Sequence, residues 1–323
     1  MAKTIKMRQE KQKTLKDALD LYFMDCRARN LREGTLKHYR DSFVQIFKFI
    51  SEDTPIDEID IDKWDEFRVM MRADPSKNDM SVYTYSRDFK TVLKYCMRQG
   101  FISPYEIPLP KADKTVIETY TDEELAALLK KPDMKRCNFT EYKCWVIVNF
   151  LLSTGVRQNS LINIQIGDVD FDNHTILIRV TKNRKPLIIP LNTDIENILR
   201  DYIQVRSQER IELEDYLFCN EFGAKMTKSS SYHALYDYNK RRGVETTGLH
   251  RFRHTFAKKW VMMGGNVVVL QKILGHSSLD ITQNYLNLLA SDVAREVEEI
   301  SIIRQFKKDS IKMDKGRKVV QKK

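Results

Sequence analysis

The sequence lacks both a membrane-spanning run and the cysteine pattern of a disulfide-bonded protein. No stretch approaches the roughly 20 apolar residues of a transmembrane helix, and the opening MAKTIKMRQEKQK has no apolar core of a secretory signal. The 5 cysteines form no CxxC pair, and their odd number argues against a disulfide framework. These absences exclude a membrane protein and a disulfide scaffold, and they predict a reduced, cytoplasmic protein.

The composition is that of a folded, basic protein. A length of 323 residues predicts about two domains, and a hydrophobic content of 42% is enough for packed cores. The net charge of +10 and the isoelectric point near 9.2 favour an anionic partner such as nucleic acid. Charge alone does not establish that partner, because many basic proteins bind no nucleic acid.

Residues 14–103 have the pattern of a small helical domain. Apolar residues recur at three- and four-residue steps from Leu36 to Ile50 and from Val82 to Cys96. Gly100 is placed to end the later helix, and Asp62 is expected to cap a shorter helix between the two. Basic residues on the polar faces predict either a DNA-clamping surface or a solubilising one: Arg27, Arg29, Arg32, Lys37, Arg40, Arg87, Lys90 and Lys94.

Three segments lack a sustained apolar period. Residues 1–13 are expected to form a basic flexible tail, which either lies along a phosphate backbone or is simply solvated. Residues 104–118 are rich in proline, which disfavours helix and predicts an extended linker. Residues 306–323 are basic and are expected to be disordered.

The second domain is expected to span residues 119–305. A capping box from Thr121 to Glu124 predicts its first helix. An apolar helix from about Tyr142 to Ser153 follows, and Gly155 is placed to end it.

Strand patterns follow in this domain. The alternation in DVDFDNHTILIRV and KPLIIPL predicts two or three short strands, with a turn at residues 182–185. Helical periodicity returns beyond Asp194, interrupted by a flexible polar stretch near residues 227–231. The predicted fold class is mostly α (α+β), in which the second domain carries a small antiparallel β-sheet.

Chemistry-bearing residues follow one another in order along this domain. Arginine suits phosphate because its planar fork donates two hydrogen bonds and stays charged. A phenol with a pKa near 10 needs a proton acceptor and a positive field before it attacks phosphorus. Together the set supplies what metal-free cleavage of a phosphodiester requires: Arg157 in TGVR, Lys182 in VTKNRK, His250 and Arg253 in HRFRH, His276 in LGHSS, and Tyr285 in TQNY.

With these motifs the chain resembles the tyrosine recombinases, the family of phage integrases and chromosome-dimer resolvases. The motif-bearing part runs from about Thr119 to Ala290. The resemblance implies that Tyr285 forms a 3′-phosphotyrosine link and that Lys182 protonates the departing 5′-oxygen. It implies that the two histidines bind phosphate and assist proton transfer. Double-stranded DNA, a homo-tetramer in the synaptic complex and a helical core-binding domain are also implied, with no cofactor and no metal.

Some assignments stay open. Arg184 and Lys185 lie close enough in sequence to compete with Lys182 as the general acid. The spacing of His250 and His254 also fits two metal ligands one helical turn apart. However, an arginine follows the first histidine where a zinc protease carries its glutamate, so the second histidine is expected to pack within its helix.

One position departs from the family pattern. An acidic residue commonly follows the first arginine by three positions, and this chain has Ser160 there. We expect activity to survive, with the support of Arg157 changed. Asp168 is a candidate carboxylate to replace the missing one.

The sequence therefore predicts a site-specific DNA recombinase that integrates or excises a mobile element. Chromosome-dimer resolution is the second choice; a type IB topoisomerase and an idle DNA-binding protein are the rivals. An accessory DNA-bending or directionality protein is a possible partner. After Tyr285, an apolar stripe is formed by Val293, Val297 and Ile300. It predicts a helix that either docks on a neighbouring protomer or packs within its own domain.

Overall fold

In the computed structural model, the chain divides into two compact units, Met1–Val116 and Ile117–Lys323. The structure describes residues 12–113, 118–206 and 211–275. His276, Tyr285, the helix predicted after Tyr285 and most of both basic tails therefore lie outside the described residues. Among the described helices, none is long and apolar enough to span a membrane.

The first unit is built from helices that bury their apolar stripes together. An aromatic group lies at its centre, where the Phe89 ring is 5.0 Å from Phe67 and 6.0 Å from Phe43. Trp64, fully buried beside them, donates from its indole Nε1 to the Pro108 carbonyl at 3.2 Å. The helices are α1 (Leu15–Ala28), α2 (Glu33–Ile46), α3 (Ile61–Ala73) and α4 (Asp79–Arg98).

The ends of these helices follow capping chemistry, with one correction to the sequence prediction. Asp60, and not Asp62, caps α3, and its carboxylate accepts the Lys63 amide at 3.0 Å. Asp62 instead lies in the first turn, where its charge suits the positive end of the helix dipole. Gly100, with φ +74°, follows α4 as predicted.

The second unit is organised around one buried helix. Its helices are α5 (Asp122–Leu129), α6 (Phe139–Thr154), α7 (Gln158–Leu161), α8 (Thr193–Arg206), α9 (Lys228–Arg241), α10 (Leu249–Met262) and α11 (Val267–Leu274). Helix α6 is buried on nearly every side from Tyr142 to Leu151 and packs against α5, α8, α9 and α10. An all-round hydrophobic helix is the expected sequence for such a central position.

A small antiparallel sheet flanks these helices, in the order β1–β2–β3. Its strands are β1 (Val169–Asp170), β2 (Thr175–Ile178) and β3 (Leu187–Pro190). Ile176 pairs with Ile189, and both are buried, so one face of the sheet joins the core. The predicted fold class, mostly helical with a small antiparallel sheet, is confirmed.

The polar stretch near residues 227–231 begins a helix, so the prediction of a flexible segment there is wrong. Thr227 is the N-cap of α9, and its hydroxyl accepts the Ser230 amide at 3.0 Å. Ser231 is fully buried. Hydroxyl side chains that suggest a loop in sequence are also those that satisfy the unpaired amides at a helix start.

Candidate active site

Gly155 sets the position of Arg157. Helix α6 ends at Thr154, and Gly155 then takes φ +60°, a left-handed conformation that favours glycine. A Cβ there would lie 2.5 Å from Phe256 Cδ1 and 2.8 Å from Leu274 Cδ2. Both the turn and the close approach of α10 and α11 therefore require glycine, and the chain emerges with Arg157 at the start of α7.

The two arginines predicted to bind phosphate converge on one backbone oxygen. Arg157 Nη1 donates to the Leu274 carbonyl at 3.2 Å, and Arg253 Nη2 donates to the same oxygen at 2.8 Å. Arg253 Nη1 also donates to the Gly155 carbonyl at 2.7 Å. The ends of α6 and α11 thus hold both guanidinium groups side by side. Two permanent positive charges at one place suit a phosphate group.

His250 lies near these charges at the start of α10. Although the residue is exposed, desolvation of its ring lowers its pKa, and the positive charges of Arg253, Arg157 and Lys182 lower it further. The imidazole is therefore favoured in its neutral form at neutral pH. A neutral ring nitrogen can accept a proton, which is the role expected of a base beside a nucleophile.

Lys182 lies on the exposed loop of residues 179–186, between β2 and β3. Its positive charge contributes to the lowered pKa of His250. Lys185 lines the same cleft as Arg157. The third loop cation, Arg184, has φ +59°.

A cleft of about 460 Å³ lies beside the arginines. One wall comes from α7, a second from the loop between β2 and β3, and a third from the end of α11. Basic and polar groups alternate there with apolar ones, which suits a sugar–phosphate segment. Its lining includes Val156, Arg157, Ser160, Lys185, Arg253 and Leu274.

Ser160, at the position of the missing acidic residue, and Asp168, its candidate replacement, are both buried. The Ser160 hydroxyl donates to the Val180 carbonyl at 2.7 Å. Asp168 is paired with Arg179 and accepts the Gln165 amide at 2.9 Å. These contacts place the Asp168 carboxylate in the sheet region, and its role as a replacement for the acidic residue beside Arg157 stays a prediction.

His254 is half-buried on α10, with its ring centroid 6.4 Å from that of His250. Burial lowers the pKa of His254, and the neighbouring His250 and Arg253 lower it further. Within the described ranges, no cluster of three or more histidine, cysteine or acidic side chains is arranged to hold a metal ion.

The segment that enters the second unit is attached to α10, which the sequence patterns did not reveal. The Tyr120 amide donates to Thr255 Oγ1 at 2.9 Å, and its ring lies 4.6 Å from Phe252. The Arg251 guanidinium lies 5.1 Å from the centre of the Tyr120 ring. Arg251, Phe252 and Thr255 lie on α10 together with His250 and Arg253. The same helix therefore carries candidate site residues and anchors the entering chain.

Gln158 is a second residue without a sequence signal. Its amide nitrogen donates to the Lys228 carbonyl at 2.8 Å and to the Ser231 hydroxyl at 3.0 Å. The residue after Arg157 therefore fixes α7 to the start of α9. A lone glutamine next to a motif carries no pattern that predicts such a contact.

The basic residues predicted on the first unit are mostly exposed, and several already form ion pairs. Arg29 lies 2.7 Å from Asp25, and Arg40 lies 2.8 Å from Glu33. Lys90 donates to the Ile107 carbonyl. The exposed members are Arg27, Arg29, Lys37, Arg40, Arg87 and Lys94, and the half-buried ones are Arg32 and Lys90.

Comparison with known proteins gives matches across most of the chain. The model of the phage integrase family matches residues 118–291, and that of the phage integrase SAM-like domain matches residues 15–114. Tyrosine recombinase XerC of Staphylococcus epidermidis is 27% identical over 267 residues, covering 80% of this chain and 88% of its own. Tyrosine recombinase XerA of Saccharolobus solfataricus is 27% identical over 269 residues, covering 81% and 85%.

Solved structures share the fold. The Tn1549 transposon integrase in complex with circular intermediate DNA has a TM-score of 0.67 at 22% identity, covering 83% of this chain and 94% of its own. A lambda integrase dimer bound to a core site has a TM-score of 0.67 at 17% identity, covering 84% and 95%.

Proposed function

This chain belongs to the phage integrase family, whose model matches residues 118–291 of its 323, and on that premise we propose how its residues transfer DNA strands. The protein is a site-specific DNA recombinase. Its catalytic set is Arg157, Lys182, His250, Arg253, His276 and Tyr285.

In the cleavage step, the Tyr285 oxygen attacks the scissile phosphorus. A bond forms between that oxygen and phosphorus, and the bond from phosphorus to the 5′-oxygen breaks, leaving a 3′-phosphotyrosine link. A histidine accepts the phenol proton, for which the lowered pKa of His250 is suited. Lys182 donates a proton to the departing 5′-oxygen, which becomes a hydroxyl.

One observation carries this proposal: Arg157 and Arg253 share the Leu274 carbonyl as a hydrogen-bond acceptor. Negative charge builds up on the non-bridging oxygens as phosphorus is attacked, and preorganised positive groups stabilise that charge. Because both guanidinium groups are held by backbone carbonyls in the free protein, little reorganisation is needed when phosphate enters.

Rejoining reverses these steps with a different strand. The 5′-hydroxyl of a partner duplex attacks the phosphotyrosine, so the energy of the broken bond is conserved and no nucleotide cofactor is consumed. We propose that a homo-tetramer on two DNA sites performs the exchange. A solved lambda integrase tetramer bound to a Holliday junction supports this arrangement by shared fold.

We propose integration or excision of a mobile element as the biological role, with chromosome-dimer resolution as the second candidate. The fold shared with the Tn1549 transposon integrase in complex with a circular intermediate DNA supports the first. DNA from the two flanks of the gene tests the first, because an integrated element retains its recombination sites at its ends.

The nucleophile is tested with nicked duplexes taken from those flanks. A nick next to the scissile phosphate lets the 5′-fragment diffuse away and traps the covalent complex. We expect a covalent band with the unmodified protein and none with Tyr285→Phe, while DNA affinity is retained. Tyr216→Phe is the matched control, since Tyr216 pairs by its backbone with Gln165 and lies beneath Lys225.

Each other outcome has a definite meaning. Capture retained in Tyr285→Phe moves the nucleophile to another residue. A band on every fragment regardless of sequence favours topoisomerase chemistry. Tight binding without any band, also on fragments from the rest of the chromosome, favours an idle DNA-binding protein.

A further inference from the structure

The Ser160 hydroxyl makes a contact that an acidic residue at this position cannot make. Ser160 is buried, with 6% of its surface exposed, and it lines the cleft beside Arg157. Its Oγ donates to the Val180 carbonyl at 2.7 Å. A carboxylate only accepts hydrogen bonds, so it would repel the Val180 oxygen.

Val180 lies at the base of the loop that carries Lys182. The last ladder pair of the sheet joins Ile178 and Leu187, so the Val180 carbonyl is already beyond the strand. The hydroxyl of Ser160 gives this carbonyl a donor and fixes the point where the loop begins. Lys182 follows only two residues later, so a shift at Val180 moves the ammonium group.

The other contacts of the loop attach its tip less directly. Thr181 Oγ1 donates to the Lys185 carbonyl at 2.7 Å, which closes the loop on itself. Asn183 Nδ2 donates to the Gly275 carbonyl at a longer 3.4 Å. The hydrogen bond from Ser160 to Val180 is therefore shorter than the one from Asn183 to Gly275.

Helix α7 connects this contact to the arginine site. The Ser160 amide donates to the Arg157 carbonyl at 2.9 Å, so the two residues share one helical turn. One end of the turn presents a phosphate-binding guanidinium, and the other holds the loop of the general acid. One helical turn therefore connects the backbone of Arg157 with the point at which the loop is held.

We infer that Ser160 is a positioning residue that holds Lys182 where it protonates the departing 5′-oxygen. The inference rests on the proposed function of Lys182. According to this inference, Ser160 positions the residue that protonates the leaving group, and it does not act by supporting Arg157.

The leaving group provides the test. A substrate with sulfur in place of the bridging 5′-oxygen releases a thiolate, which leaves without a proton because a thiol has a pKa near 8.5. On the oxygen substrate, we expect Ser160→Ala to slow covalent capture by roughly 10- to 100-fold, as small misplacements of catalytic groups do. On the sulfur substrate, we expect the variant to match the unmodified protein within about twofold, because a proton donor then contributes nothing to the rate.

Two variants calibrate this comparison. On the oxygen substrate, Lys182→Ala should slow covalent capture more than Ser160→Ala does, on the order of 10²- to 10⁴-fold. On the sulfur substrate, its rate should again match that of the unmodified protein. Arg157→Ala should remain slow on both substrates, because phosphate binding is needed with either leaving group. If Ser160→Ala is equally slow on both substrates, Ser160 acts with Arg157 in phosphate binding, and the inference is overturned.

A second pair of variants uses hydrogen-bond chemistry. Ser160→Thr keeps the hydroxyl and is expected to restore the oxygen-substrate rate to within about threefold. Ser160→Asp installs the acidic residue common in the family and is expected to be slower than Ser160→Ala on oxygen. A faster Ser160→Asp would show that the position supports Arg157 and would overturn the proposal.

Folding and the basic reaction are checked separately. Urea unfolding identifies a variant that fails to fold, and Ser160→Cys, which nearly preserves side-chain volume, then takes the place of Ser160→Ala in the same substrate comparison. Ser86→Ala, at a fully buried serine in the first unit, is the matched control with unchanged rates expected. If the unmodified protein captures neither substrate, the proposed function itself fails, and the inference fails with it.

Discussion

Arg157 and Arg253 share an acceptor but differ in burial. Arg253 has 4% of its surface exposed and donates to two carbonyls, at the ends of α6 and α11. Arg157 is half-buried, and its bond to Leu274 is longer. Arg253 is therefore part of the packing of the second unit, whereas Arg157 mainly faces the cleft.

This difference predicts separate effects on stability. Arg253→Ala should lower the free energy of unfolding by about 3 kcal/mol, because hydrogen bonds from charged groups to buried acceptors are lost. Arg157→Ala should cost about 1 kcal/mol. Both should lose covalent capture by several orders of magnitude. Urea unfolding measures the first effect, and equal losses of stability in the two variants would contradict it.

The lowered pKa values of His250 and His254 predict a pH-dependent stability. Below about 6.5, their usual pKa, the unfolded chain binds protons more readily than the folded one. The free energy of unfolding should therefore fall as pH drops from 7 to 5.5, and these two groups should contribute no slope above pH 7. Urea midpoints across this range, compared with a His250→Gln/His254→Gln variant, measure the effect; an unchanged slope in the variant would refute it.

The candidate site residues could be proposed from the sequence because each lies in a short, recognisable motif, whereas contacts between distant residues could not be predicted. Ser42 donates to the buried Asp88 at 2.7 Å, and exposed His38 and Arg87 also contact that carboxylate. Ser42 and Asp88 are 46 positions apart. A periodicity that predicts two helices gives no information about which polar groups meet between them.

At the scale of elements, the helix ends that the sequence predicted correctly are those marked by a glycine or a capping box. Thr121 caps α5 as expected, and Gly155 ends α6 as expected. Asp60 was missed because two aspartates two residues apart both satisfy the capping rule. Thr227 was missed because the same residues favour loops and caps.

Gly155 tests the link between a helix end and the site. Gly155→Ala should cost about 1–2 kcal/mol from its left-handed conformation and about 1–3 kcal/mol from the overlap with Phe256. Gly243→Ala is the matched control, because Gly243 has φ +74° with open space around it. Only Gly155→Ala should also lose covalent capture, since Arg157 must shift. Equal unfolding free energies for the two variants would contradict this account.

At the scale of the whole molecule, each unit has its own hydrophobic core. The cluster of the first unit extends from Leu15 to Ile107. The second unit has a large cluster that begins at Tyr120 and a smaller one around Phe256. The change of pattern around the proline-rich segment of residues 104–118 is the sequence feature on which the predicted domain boundary rests. The burial of Tyr120, just after that segment, was not predictable from sequence, because the residues of α10 that cover it lie more than a hundred positions later.

Separate cores predict independent folding of the first unit. A fragment of residues 1–116 keeps every residue of its cluster, and a domain of about 100 residues buries enough surface to be stable alone. We expect a cooperative urea transition in the isolated fragment, monitored by tryptophan fluorescence of Trp64. A fragment without a cooperative transition would show that the first unit depends on the second.

The shared acceptor of the two arginines has a consequence for the newly synthesised protein. Leu274 lies 117 positions after Arg157 and 21 after Arg253. On the ribosome, where chains fold from the amino terminus, the first unit and α6 are complete long before this carbonyl has emerged. The two arginines therefore gain their shared acceptor only after Leu274 has emerged, and a nascent chain that already has a folded first unit still lacks this arrangement of the proposed site.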